Sequence, residues 1–189
     1  MGKSIKTLVD EFLLASLFGS DYKKTDKKKL AIDRAYRDFC RTIRKDEGCI
    51  NAGMDIEESR NNATEIITAA LSLDMSDYDT WHKTLCNDIK ESGYTYGQAQ
   101  KWVNMTMKYL LVLDYGIDNT IIEQLHIPID SIIIEKSLKK DLIDKETIGM
   151  NFSWSKISNY ADYKKIQEKL RTKLGNQTPI KWEFQAWNE

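Results

Sequence analysis

A lysine and an aspartate that could act together stand in the two segments of this chain richest in local signal. Lys101 lies in "GQAQKWVNMTMKYL", Gly97 to Leu110, and Asp130 lies in "HIPIDSII", His126 to Ile133. An ammonium becomes a nucleophile only after it loses its proton, so a catalytic lysine wants a dry pocket. Trp102 and Tyr109, on the same segment as Lys101, could supply that dryness, and their rings could stack on a planar ligand. The same two residues also have plain roles. Lys101 reads as a solvent-facing lysine in the first turn of an amphipathic helix, and Asp130 reads as the N-cap of the helix that follows it.

The arrangement as a whole resembles that of the helix-hairpin-helix DNA glycosylases: a hairpin between two helices, a lysine at the start of the second, and an aspartate after an aliphatic-Pro-aliphatic stretch. The resemblance rests on "ESGYTYGQAQK" and "HIPID", about a fifth of the chain. It implies that Gly93, Tyr94, Thr95 and Gly97 form a turn whose backbone N–H groups hold a DNA phosphate. Lys101 would attack the deoxyribose carbon to displace a damaged base, and Asp130 would support the developing positive charge. The separation of 29 residues between Lys101 and Asp130 is similar to that of the archaeal 8-oxoguanine branch. Two features depart from the family pattern: "GYTYG" replaces the usual Leu-Pro-Gly-Val-Gly, and Lys101 stands four residues after Gly97 rather than almost beside it.

Other polar residues offer weaker chemistry. His82 and Cys86 are four apart, a spacing that can place two metal ligands on one helix face, with Cys40 or Cys49 to complete a zinc site. No second tight pair accompanies them, so neither a metal nor any other cofactor is expected. His126 reads as a helix-end or core histidine, or, in a cleft with Asp130, as a group titrating near neutrality. Of five tryptophans, Trp81, Trp102, Trp182 and Trp187 follow apolar stripes, while Trp154 in "NFSWSKIS" sits among polar residues in an expected loop. There it either anchors the final helices or stacks on a base or a partner.

The elements that must position these side chains are helices. Apolar residues recur at helical spacing from Ile5 to Leu17 with Gly19 as a stop, from Ile32 to Ile43 with Gly48 as a stop, and again around Ile66 to Leu71 and Trp81 to Ile89. Between the first two lie five lysines from Lys23 to Lys29, read as a solvated linker or the exposed start of the second helix. Thr95 and Gln98 form a capping-box signature ahead of a fifth helix whose apolar face is Ala99, Trp102, Val103, Tyr109, Leu110 and Leu113. After Asp130 the β-branched run Ile132 to Ile134 suits either a short strand or a sixth helix, and Leu138 with Lys136, Lys139 and Lys140 favours helix; another helix runs from Ser158 to Leu174 before Gly175. The tail "TPIKWEFQAWNE" reads as helix or strand, and Trp187, seven residues after Ile180, favours helix. The expected fold is all-α, a single multi-helix domain over residues 1–189.

Composition narrows the function further. A formal charge of −1 argues against a protein that coats nucleic acid by bulk electrostatics and leaves room for a local basic patch. Three cysteines do not make a disulfide framework, so a reducing cytoplasm is expected. The longest apolar runs fall far short of the roughly 20 residues that span a bilayer, so no membrane partner is expected. Three readings remain: a nucleobase- or nucleotide-recognising protein acting as a DNA glycosylase/lyase, a non-catalytic module binding a small nucleotide or a protein partner, and a structural helical interaction protein. The lysine-, isoleucine- and asparagine-rich usage is compatible with an AT-rich phage or mobile-element source.

Overall fold

The computed structural model describes residues 3–45, 55–149 and 152–188. The Gly48 stop and Cys49 lie outside the described residues. Among the described residues ten α-helices follow one another: α1 (Ile5–Phe18), α2 (Lys27–Lys45), α3 (Ile56–Ala70), α4 (Tyr78–Glu91), α5 (Tyr96–Val112), α6 (Asn119–Gln124), α7 (Ser131–Lys139), α8 (Lys145–Ile148), α9 (Tyr160–Leu174) and α10 (Pro179–Ala186). A 3₁₀ turn, Trp154–Lys156, lies between α8 and α9. Among the described residues there is no strand.

Most helix starts use a side chain to satisfy backbone donors that have no intrahelical acceptor. Ser4, Asp55, Asp77, Thr95, Asp118, Asp130, Asp144 and Asn159 each accept an N–H of the first turn. At α5 the capping box is complete, with Gln98 Oε1 accepting the Thr95 N–H. The lysine-rich segment takes both of the roles open to it: Lys23 and Lys24 sit in a turn, and Lys27 to Lys29 begin α2. The tail is helical, with Pro179 in the first turn where its missing N–H costs nothing.

The centre of the molecule is α5. Every residue from Tyr96 to Leu110 is buried, so the helix is enclosed all round, where its sequence predicts one inward face. It packs most extensively on α2 and α4. Trp102 sits at the heart of an aromatic cluster with Tyr36, Phe39 and Tyr94, ring centroids 5.0 to 5.6 Å from its own. Its indole N–H donates to Ile32 O at 3.1 Å. The buried apolar residues form one contiguous core.

The first helix departs from expectation. Its apolar stripe, Ile5, Leu8, Val9, Phe12 and Leu13, is exposed, and only Phe18 is buried. Among the described residues no helix is long and apolar enough to cross a membrane.

Candidate functional site

Lys101 and Asp130 meet. Lys101 Nζ donates to Asp130 Oδ2 at 2.9 Å, with side-chain exposures of 11% and 8%. The plain reading of Lys101 as a solvent-facing lysine is therefore overturned, because the elements around α5 enclose nearly all of that side chain. The plain reading of Asp130 is correct at the same time as the pairing. Its Oδ1 accepts Ile133 N–H at 2.9 Å, capping α7, while its Oδ2 holds the lysine.

The neighbouring side chain on α5 sets the spacing of this pair. Gln100 grips Ile129 at both backbone groups: its Nε2 donates to Ile129 O at 2.8 Å and its Oε1 accepts Ile129 N–H at 3.0 Å. The residue before Lys101 thus fixes the residue before Asp130. Asn104, one turn on, donates to Ile127 O at 3.2 Å, and Gln167 of α9 donates to the same carbonyl at 2.6 Å. The extended "HIPID" segment has no strand partner for its backbone, and these buried amides satisfy it instead.

The pair opens onto a cleft of about 370 Å³ lined by Arg34, Asp38, Lys101, Met105, Lys108, Tyr109, Pro128, Asp130, Ile132 and Trp187. That volume lies in the range of small-molecule sites. Its floor is α5, with α2 on one side and the ends of α7 and α10 on the other. Trp154 closes the pair from the hairpin side, with Lys101 Nζ 4.7 Å from its ring centroid in a cation–π contact. Trp154 belongs to the 3₁₀ turn rather than to an irregular loop.

Sequence reasoning missed several cleft residues. Lys108 lies two turns beyond Lys101 on the same face of α5, and its Nζ donates to the buried Glu183 at 2.6 Å. Phe184 and Trp187 flank it at 5.3 and 5.2 Å. Burial pushes the Glu183 carboxyl up, Lys108 pulls it down, and Asp130 adds to the upward push. Arg34 and Asp38 of α2 pair at 3.2 Å, and the Tyr109 hydroxyl donates to Asp38 Oδ2. Burial and the Asp38 carboxylate both raise the Tyr109 phenol, which keeps it a donor. The seven-residue spacing of Lys101 and Lys108 was a signal available in the sequence.

Three expected contacts lie elsewhere. Trp102 is fully buried in the core, and it cannot stack on a bound base. His126 is also buried, its Nδ1 2.9 Å from the Tyr163 hydroxyl, and it does not line the cleft. Its Nε2 lies 2.8 Å from Asp79 Oδ1. The turn also differs from expectation, because it is covered. Gly93 N–H donates to Lys90 O at 3.0 Å, Thr95 N–H to Gln98 Oε1 at 3.0 Å, and Gly97 N–H to Ile157 O at 2.9 Å. With those donors occupied and Gly93, Tyr94 and Gly97 buried, the turn offers no ready cradle to a phosphate. Among the expected contacts, Tyr109 lines the cleft and Trp154 borders it through Lys101.

His82 and Cys86 are buried side by side, the sulfur 3.7 Å from the ring nitrogens, and His82 Nε2 bonds Asn104 Oδ1 at 3.0 Å. Among the described residues no three His, Cys, Asp or Glu side chains are grouped to hold a metal.

The two buried histidines give the fold a dependence on pH. Burial pushes His126 down to about 4 against the partial pull of Asp79, and burial drives His82 down as well. Unfolded, each would bind a proton near pH 6.5, so between that value and about 4 the unfolded chain holds more protons than the folded one. Stability is therefore fully present above pH 6.5 and falls as pH drops through that window. His126 alone should remove about 2 kcal/mol between pH 7 and 5. Urea denaturation at both pH values measures this, and a His126→Gln variant should show a shallower dependence.

No protein-family model, no curated protein and no solved structure matches the chain.

Proposed function

We propose that this chain recognises a nucleobase and cleaves its glycosidic bond in damaged or modified DNA, with Lys101 as the nucleophile. The observation that carries this reading is the buried 2.9 Å contact between Lys101 Nζ and Asp130 Oδ2 at the edge of an open cleft. In the reaction, Asp130 takes a proton from Lys101 and the nitrogen lone pair attacks C1′. The bond to the base breaks, the electron pair leaves with the base, and the proton on Asp130 passes to the base, restoring the carboxylate. A second proton then moves from the Lys101 nitrogen to the ring oxygen as the sugar opens, giving a protonated imine on Lys101 with the Asp130 carboxylate beside the positive charge. Tyr109 supplies an aromatic surface to the departing base. The covered hairpin turn has no part in this reading.

Borohydride trapping tests the proposal, because it reduces the imine to a stable protein–DNA link. Incubation with oligonucleotides carrying a panel of lesions should give a trapped product with the native chain and none with Lys101→Ala. An absence of product across the panel, or an undiminished product with Lys101→Ala, would reject the reaction.

The covered turn favours a second reading, in which the cleft binds a small nucleotide without chemistry. A rise in melting temperature with free nucleotides but none with duplex DNA supports that reading, since a ligand bound only by the folded state stabilises it by mass action.

A further inference from the structure

We infer that the exposed apolar face of α1 docks against the same face of a second copy of this chain, with the two helices antiparallel. Ile5, Leu8, Val9, Phe12 and Leu13 recur at three- and four-residue spacing, so they form one continuous stripe. The body holds α1 at its C-terminal end, where Leu14, Leu17 and Phe18 reach the core and the Phe18 and Tyr109 ring centroids lie 5.6 Å apart. Residues 3–10 are exposed on every side. A helix of 14 residues is marginal in water without packing along its apolar face. A partner along the stripe supplies that packing.

The stripe is large enough to be an interface. Ile5, Phe12 and Leu13 are 77%, 69% and 58% exposed, and Leu8 and Val9 are 46% and 50% exposed. Five side chains of this size leave on the order of 500 Å² of contiguous apolar surface, near the top of what a monomer shows. Two such faces together reach the roughly 1,000 Å² of a specific interface. None of the five residues lines the cleft, so the inference is independent of the chemistry at Lys101.

The charges beside the stripe choose the occupant. One edge carries Lys6 and Asp10, both exposed and, among the described residues, without an ion-pair partner. The other edge carries Glu11, which Lys3 and Lys23 already hold at 2.6 Å each. In an antiparallel pair related by a two-fold axis, each edge meets its own counterpart. With that axis near Leu8 and Val9, Ile5 of one copy packs on Phe12 and Leu13 of the other. Lys6 then comes level with Asp10 of the other copy to within about 2 to 3 Å along the helix axis. The contact occurs twice, once on each side of the two-fold. Parallel helices would instead set Lys6 against the edge where Glu11 is already neutralised. A lipid surface calls for a cationic border, whereas this border carries one charge of each sign.

Sedimentation equilibrium of the full chain tests the inference. An interface at the small end of the range predicts a reversible dimer, populated at about 100 µM and dissociating on dilution. Phe12→Glu should raise Kd at least about tenfold and leave the melting temperature of the dilute protein unchanged, because Phe12 lies outside the core. Ile5→Glu is a second variant of the same kind. Lys6→Glu and Asp10→Lys each set like charges across the two-fold, and each should weaken the dimer at least about threefold. An equimolar mixture of those two variants should associate as tightly as the native chain, because every contact across the axis is then between opposite signs. A pairing of residues 6 and 10 within one helix cannot give that recovery. A native chain that stays monomeric at the concentration named overturns the inference. So does a dimer indifferent to Phe12→Glu and Ile5→Glu, or a mixture no tighter than its components. Vesicles of phosphatidylcholine and phosphatidylglycerol complete the test: a monomer that cosediments with them, and ceases to in Phe12→Glu, assigns the face to a membrane and overturns the inference as well.

Discussion

Asp130→Ala should destabilise the protein by about 3 to 5 kcal/mol, the cost of leaving one member of a buried ion pair without its partner. The loss of the α7 cap adds about 1 kcal/mol. A domain of this kind has a total stability of only about 5 to 15 kcal/mol, so the variant should unfold at markedly lower urea concentration. Asp130→Asn separates the two contributions, because asparagine caps a helix as well as aspartate does and can still accept the Ile133 N–H. It removes only the charge opposite Lys101. Adding Lys101→Met to Asp130→Asn should recover most of the loss, since replacing a buried pair by neutral, well-packed groups is often close to neutral. A cost below about 1 kcal/mol for Asp130→Ala would instead be the signature of a solvent-screened pair.

The helices were legible because local rules decide them. Thr95 with Gln98, Asp130 before Ser131 and Pro179 after Thr178 mark helix starts through backbone satisfaction, which needs no tertiary context. The environment of α5 was not legible. Its polar residues Gln98, Gln100, Lys101, Asn104, Thr106 and Lys108 suggest a wet face, yet all are buried. The partners of Gln100, Lys101, Asn104 and Lys108 come from segments distant in sequence: Ile127, Ile129, Asp130, Tyr163 and Glu183. A central helix that must hold an extended segment has to carry amides and charges inward, and periodicity alone reads them as outward. The environment of Trp102, which the pattern leaves equally fit for core or cleft, is set in the same way by distant segments. Lys101 and Asp130 are singled out by the likeness of "ESGYTYGQAQK" and "HIPID" to a hairpin, lysine and aspartate layout, and Asp130 also by its capping position. The α2 wall, Arg34 and Asp38, looks in sequence like the ordinary polar face of an amphipathic helix.

Gly97→Ala sets two effects of opposite sign against each other. Gly97 is the second residue of α5, and by helix propensity alone alanine would stabilise that position by up to about 1 kcal/mol. The packing forbids it. A Cβ on Gly97 would stand 1.9 Å from Trp154 O and 3.0 Å from Trp154 C, both backbone atoms with no flexible side chain to yield. Either the 3₁₀ turn lifts or the start of α5 moves. Either motion breaks the Gly97 N–H to Ile157 O bond at 2.9 Å and the bond from the Thr95 hydroxyl to Ser155 O. Overpacking costs about 1 to 3 kcal/mol and each lost hydrogen bond about 1 kcal/mol, so the net effect should be a destabilisation of about 2 to 4 kcal/mol. The displacement also withdraws the Trp154 ring from Lys101, now 4.7 Å away, and admits water to the nucleophile from the hairpin side. The variant should therefore show a lower urea midpoint, altered tryptophan fluorescence under native conditions and a reduced yield of borohydride-trapped DNA. A stabilised Gly97→Ala would mean that propensity outweighs packing and that the turn carrying Trp154 does not rest on α5.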